Sequence, residues 1–359
     1  MTDRTPLAPY DGLLLHSFGG PEGPDDVMPF LRNVTAGRGV PDDRLREVAH
    51  HYDKRAGRSP INDENRALIA GLTRELTRRG VDVPVFWGNK FWPPYTHEAL
   101  QQARDAGVRR LLTVVTSAYS SYSGCRSYRE DLAAALERVG GGLEIDVLRP
   151  YGHTRAFREP TRRHIVEAFR TLLTSSALQP SEVTVLFVTH SIPVAMNDSS
   201  GPPGEPGVYQ QQHLQVCDDV MSAVRAQCGV DVPWQLTYCS RSGPPSQPWL
   251  EPDVSDAIAQ LAGTGVRGVL IAPIGFVSDH MEVVHDLDEE AVEAAQERGL
   301  AVARVSTVRD DPVFVAGLVD LLLARAAAER DARPTPGLRC PVGCCAGRGP
   351  AKPTVSEES

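Results

Sequence analysis

No apolar run in the 359 residues approaches the length needed to cross a bilayer. The opening residues, Met1-Thr2-Asp3-Arg4-Thr5-Pro6, lack the basic start and apolar core of an export signal, so a cytoplasmic protein is expected. Blocks of Lys and Arg are also missing. With a net charge of −9, that argues against a nucleic-acid partner. Anionic ligands must then be gripped by individually placed arginines. No predicted strand runs into G-x-G-x-x-G, and Gly19-Gly20-Pro21-Glu22-Gly23 does not fit the nicotinamide fingerprint. Cysteine is sparse and odd in number: Cys125, Cys217, Cys228, Cys239, Cys340, Cys344 and Cys345. A reducing compartment disfavours disulfides, and three cysteines crowded in one tail suit a metal or cluster site better.

What is present is a soluble, globular composition, 41% hydrophobic and 23% charged, on a chain long enough for two full cores. Strands are predicted at 12–18, 83–88, 110–115 and 143–148. Helices are predicted at 24–33, 42–56 and 64–79 between them. After about residue 155 the rhythm restarts: helix 161–174, strand 183–190, helix 209–228, strand 234–239, helix 253–262, strand 267–273, helix 282–298, strand 301–306. A last helix follows Asp311-Pro312. Alternating strands and helices mean parallel sheets of βαβ units. Both halves carry a His-Ser pair at the end of their first strand, His16-Ser17 and His190-Ser191. The expectation is two similar α/β doubly wound domains, 10–155 and 156–330, with four-stranded parallel sheets facing a cleft. A Pro/Gly-rich tail, 331–359, carries the clustered cysteines.

The stretch Val185-Leu186-Phe187-Val188-Thr189-His190-Ser191 reads as a buried parallel strand opening onto a loop. Strand C-termini are where open α/β sheets bind ligands, so His190 is placed for chemistry, although a strand-capping histidine would look the same. A second strand leaves through Pro273-Ile274-Gly275-Phe276-Val277-Ser278-Asp279-His280-Met281-Glu282 into a helix. There Glu282, Asp286, Glu289 and Glu290 share a face at i, i+4, i+7 and i+8. That ridge fits either a solvated acidic face near a helix N-terminus or a path for hydrated cations or protons. An imidazole and a carboxylate facing each other over the sheet could hold a divalent metal or relay a proton.

Taken with Gly57-Arg58-Ser59-Pro60-Ile61-Asn62 and Ser240-Arg241-Ser242-Gly243-Pro244 leading to Pro248-Trp249-Leu250, these motifs resemble the ferrochelatases, most closely the actinobacterial type assigned to coproporphyrin III. The resemblance runs from Leu13 to the final helix. It implies a lyase of haem biosynthesis that inserts Fe2+ into a porphyrin held between two domains. By this resemblance His190 is the proton acceptor or metal ligand with Glu282 opposite, and Asp286 and Glu290 lie on the iron path. Ser59, Tyr128 and Tyr52 would approach the porphyrin. To these we add Arg38, Arg58 and Arg126, whose guanidinium forks suit propionates. Phe18 stands where relatives carry a tyrosine able to meet the product iron, and would instead form an apolar wall.

The resemblance also implies a [2Fe–2S] cluster on Cys125, Cys340, Cys344 and Cys345, although four cysteines could equally hold zinc or be incidental. A monomer is expected, with transient contacts to neighbouring haem-pathway enzymes. The alternatives are a protoporphyrin IX ferrochelatase, a cobalt or nickel chelatase, or a non-catalytic haem or porphyrin carrier.

Overall fold

A computed structural model describes residues 5–243, 246–331 and 339–357; Pro244 of the Ser240–Pro244 motif lies outside them. The first half comprises β1 (Gly12–Ser17), α1 (Pro24–Val34), α2 (Asp42–Ala49), a 3-10 turn (His50–Arg55), α3 (Ile61–Arg78), β2 (Val85–Asn89), α4 (Thr96–Asp105), β3 (Arg110–Val115), a π-helical turn (Tyr122–Arg126), α5 (Ser127–Arg138) and β4 (Glu144–Val147). The second comprises α6 (Arg155–Ser175), β5 (Val183–His190), α7 (Val194–Asp198), α8 (Val208–Cys228), β6 (Trp234–Cys239), α9 (Val254–Leu261), β7 (Gly268–Ala272), α10 (Met281–Val283), a π-helical segment (Val284–Glu290), α11 (Ala291–Glu297), β8 (Ala301–Arg304) and α12 (Pro312–Arg330).

Each half builds one four-stranded sheet, with orders β2-β1-β3-β4 and β6-β5-β7-β8. Every strand pair in both is parallel. The protein is thus α/β with two doubly wound units of matching order. The apolar run of β5 is buried on both faces except at His190, its last residue. β5 lies between β6 and β7, with Val188 opposite Thr237 and Phe187 opposite Ala272. A strand covered by helices on both faces has no need of polar alternation. α12 joins the halves, because Val315 packs against Gly71 of α3 and Ala156 of α6 meets Gly317. No described helix is long and apolar enough to cross a membrane.

Several predicted elements differ. The helix expected over 42–56 divides into α2 and the 3-10 turn. α4, α5 and α7 had no counterpart in the prediction. α6 starts at Arg155 rather than 161 despite Pro160 within it, because Phe157 anchors the first turn between Tyr119 and Phe314. The continuous helix predicted over 282–298 is interrupted by the π-helical segment, which turns Asp286 inward and breaks the regular i, i+4 spacing of the acidic ridge.

Candidate functional site

The strand ends of both sheets face a shared cleft with a cavity of about 360 Å3. That lies within the ~300–1,000 Å3 of ordinary ligand pockets. Apolar and aromatic side chains dominate the lining, among them Phe18, Phe30, Leu31, Phe91, Ile192 and Trp249. Phe18 packs on Phe91, ring centroids 4.6 Å apart, and edge-on to Phe30, on the aromatic side of the cleft.

Backbone fixtures position His190. The Tyr209 hydroxyl donates to the His190 carbonyl at 2.9 Å and lies 2.7 Å from Thr189 Oγ1, which also meets His213 Nε2 at 2.9 Å. Burial pushes His213 down to about 3, so this core imidazole is neutral. Gly275 approaches Thr189 so closely that a Cβ there would lie 2.1 Å from Thr189 Oγ1, which explains glycine at this point of the loop after β7. Tyr119, from the first half, donates to the Ile274 carbonyl at 2.9 Å and ties the two walls beneath the cleft.

His190 Nε2 stands 3.5 Å from Glu282 Oε2, and His280 Nδ1 is 3.9 Å from the same oxygen. The pair sits on adjacent strand ends of one wall, after β5 and β7, rather than on facing walls. His190 Nδ1 abuts the Ser191 carbonyl, which fixes it as the N–H donor and leaves Nε2 to exchange protons. Burial works against charging His190, but the hydrogen bond and charge of Glu282, with the Ser191 carbonyl and Asp286, outweigh it and raise its pKa. For Glu282, burial pushes upward, yet His190, His280 and His51 prevail and hold the carboxyl at about 2. Glu282 therefore stays anionic beside an imidazole ready to become imidazolium. The Glu282 side chain remains 57% exposed, towards the cleft.

Behind this pair, Asp286 accepts a hydrogen bond from Ser240 Oγ, and burial with the charges of Glu282 and Glu290 lifts it to about 6. The π-helical segment Val284–Glu290 brings His285, Asp286 and Glu290 together, with ligand atoms within 4.8 Å of one another. His285 Nε2 lies 3.3 Å from Glu290, and its ring stacks on His51 at 3.6 Å. His285, His51 and His280 join the site although the motifs do not single them out. The histidines of the His280–His285 stretch are visible in the sequence, but His51 arrives from the 3-10 turn after α2 and no local pattern marks it.

Ser59, Tyr52, Tyr128 and Arg38 line the cleft with His190 and Glu282. Two arginines expected at the propionates do not come there. Arg58 is held by both oxygens of Asp63, at 2.6 and 2.8 Å from Nη2, out on the surface. Arg126 is buried and bonds Glu130, Glu357 and the Cys344 carbonyl. Both are spent on carboxylates of the chain itself. His16 is sealed in β1, its Nε2 3.0 Å from Asp131 and from Thr96 Oγ1, a core histidine.

Cys125, Cys340, Cys344 and Cys345 form one buried cluster, with the last two sulfurs 3.8 Å apart. Gly201 N–H donates to Cys345 Sγ at 3.2 Å. Hydrogen bonds from neighbouring thiols push Cys340 and Cys345 towards thiolate and raise Cys125 and Cys344. Arg129, 1% exposed, adjoins them; its Nη1 lies 3.4 Å from Glu357, while Nε and Nη2 lack partners. A buried guanidinium with orphan donors calls for negative charge beside it, which thiolates supply.

A two-layered α/β cleft with an imidazole–carboxylate pair at its wall and an acidic trail behind defines a metal-handling enzyme. Residues 10–326 match the family model Ferrochelatase. A coproporphyrin III ferrochelatase of Streptomyces coelicolor is 49% identical, the match covering 100% of this chain and 99% of the relative. One of Leifsonia xyli is 48% identical over 94% and 91%. Among solved structures, SirB from Bacillus subtilis aligns at a TM-score of 0.48 and 10% identity, covering 89% of this chain and 98% of that one. The chain belongs to the ferrochelatase family.

Proposed function

We propose that this protein inserts ferrous iron into coproporphyrin III, forming coprohaem and releasing two protons. The observation that carries the reading is the His190–Glu282 pair, 3.5 Å apart on the wall of an apolar cleft between the strand ends of the two sheets. The full-length relatives named as coproporphyrin III ferrochelatases support the choice of substrate.

Pyrrole N–H groups are weak acids, and a flat macrocycle hides its lone pairs. The aromatic walls around Phe18 and Phe91 hold the ring, and remote contacts are spent on bending it. His190 Nε2 accepts the pyrrole protons, one at each step, and the anionic Glu282 stabilises the imidazolium so formed. Asp286, poised at about 6, takes the proton onward towards His285 and Glu290 at the surface. The same oxygens lead hydrated Fe2+ inward; imidazole and carboxylate bind it moderately, which suits delivery. Ser59, Tyr52, Tyr128 and Arg38 meet the porphyrin and its carboxylates.

We further propose that Cys125, Cys340, Cys344 and Cys345 hold a [2Fe–2S] cluster. Four thiol sulfurs and the orphaned Arg129 donors fit its charge and ligand number. Such a cluster would supply a cross-link between tail and body, and no step of the iron insertion uses it. Anaerobic assays with coproporphyrin III and protoporphyrin IX, each with Fe2+, Co2+ and Ni2+, test the main reading. Preference for coproporphyrin III and Fe2+ is expected; porphyrin binding without turnover by any metal leaves a carrier instead.

A further inference from the structure

Beside the cleft, a side pocket opens between α1, α4 and α5, lined by Asn33, Asn89, Lys90, Thr96, Asp131 and Arg138. Its notable occupant is the Lys90 ammonium. The Lys90 backbone N–H donates to the Ser17 carbonyl at 2.9 Å, and Phe91 N–H to the Phe18 carbonyl at 3.0 Å. This locks the loop after β2 against the end of β1. Nζ then lies 5.0 Å from the centroid of Phe91 and 5.4 Å from that of Tyr128, the two rings that also line the cleft.

An ammonium has three donors, and only one is used, on the Ser127 carbonyl at 3.2 Å. No carboxylate among the described residues pairs with it. The obvious candidate, Asp131, is engaged by His16 at 3.0 Å and by Thr96 Oγ1 at 2.6 Å. Burial lowers Lys90 to about 8, with Asp131 and Glu130 opposing and Arg38 and Lys352 assisting, so it is still a cation at neutral pH. A half-buried cation without an anion is costly unless a ligand completes it. Arg38, which lines the cleft, is close enough for its charge to act on Lys90.

We infer that Lys90, together with Arg38, binds a peripheral carboxylate of the macrocycle that reaches past the edges of Phe91 and Tyr128. The inference rests on the porphyrin reading above and adds a residue that neither the motifs nor the family resemblance singled out. It also explains why this cation has no internal partner: the substrate brings the anion. A charge-assisted contact of this kind is worth about tenfold in affinity.

The test is metal-free porphyrin binding, followed by fluorescence, for wild type, Lys90→Met and Lys90→Arg. The ligands are coproporphyrin III, protoporphyrin IX and the tetramethyl ester of coproporphyrin III. Lys90→Met should weaken coproporphyrin binding about tenfold, Lys90→Arg should stay within about threefold, and ester binding should be the same in all three proteins. Weakening confined to coproporphyrin assigns Lys90 to a carboxylate that protoporphyrin lacks; weakening of both assigns it to a shared one. Unchanged coproporphyrin binding in Lys90→Met overturns the assignment, as does an equal loss with the ester, which would mean lost packing. A wild type that binds none of the three overturns the porphyrin reading, and this assignment with it.

Discussion

His190 commits Nδ1 to the Ser191 carbonyl and turns Nε2 to the Glu282 carboxylate, 3.5 Å away. One ring nitrogen is thereby fixed and the other is free to gain and lose a proton beside a permanent anion. His190→Ala should lower iron insertion by about 10²–10⁴-fold in kcat, the range of a lost general base. Porphyrin binding should be retained, because the ring is held by the walls and not by the base. Anaerobic insertion monitored by absorbance, with fluorescence binding as control, checks both. Wild-type turnover in His190→Ala would remove the imidazole from the mechanism.

The same pair sets a pH dependence. Glu282 raises the His190 pKa, and His190 accepts protons only when neutral, so kcat/KM should fall as pH drops through that raised value. Glu282→Gln removes the charge that raises it. The acid limb of the variant should therefore lie at lower pH, whatever happens to the maximum rate. A pH profile of both proteins decides, and an acid limb that stays in place would show another group titrating there.

Much of this was legible from sequence for a definite reason. β5 and β7 are buried on both faces, so their apolar runs stand out, and His190 and Glu282 are flagged by where those runs stop. α4 is hard to read because, apart from Leu100, it buries small or polar residues, Thr96, Ala99 and Ala103, and α5 because its buried face includes Ser127 and Arg129. Neither shows a clear apolar stripe. Arg126 reads as a propionate ligand because, although Glu130 four residues on is a visible partner, its pairing with Glu357, 231 residues away, is announced by no local pattern. Lys90 was invisible for a related reason: its burial comes from Phe91 and Tyr128, a neighbour in sequence and a residue from another element.

The tail touches both halves. Cys345 N–H donates to the Gly201 carbonyl at 2.8 Å, Ser199 Oγ to the Ala346 carbonyl at 3.1 Å, and Glu357 pairs with Arg126 at 3.2 Å. The π-helical turn carrying Cys125 also supplies Ser123 and Gly124 to the cleft wall. If the four sulfurs share a cluster, Cys125→Ser should abolish its visible absorbance in the as-purified protein. It should also lower the thermal midpoint by at least about 5 °C, since a group bound only by the folded chain is lost. Colourless wild-type protein with an unchanged midpoint in the variant would leave the cysteines as packing.

Glu64 of α3 offers a test of how the halves are joined. Its Oε2 accepts from Asp279 N–H at 2.7 Å, and its Oε1 lies 3.1 Å from Arg309 Nε, so one side chain spans from the first half to the loop before Glu282. Burial, then the charge of Asp279, raises Glu64 from 4.5 to about 7 despite Arg309 and Arg304. Between those two values the folded chain holds a proton the unfolded chain has released. Stability should therefore fall as pH rises across about 4.5 to 7, by roughly 3 kcal/mol from this group. Glu64→Gln keeps an acceptor for Asp279 N–H and removes the titration. The difference in thermal midpoint, variant minus wild type, should thus rise by several degrees, about 4–8 °C, from pH 5 to pH 8. Parallel midpoint curves for the two proteins would mean that Glu64 titrates alike in the folded and unfolded chains, and the buried carboxyl would carry no cost at the joint.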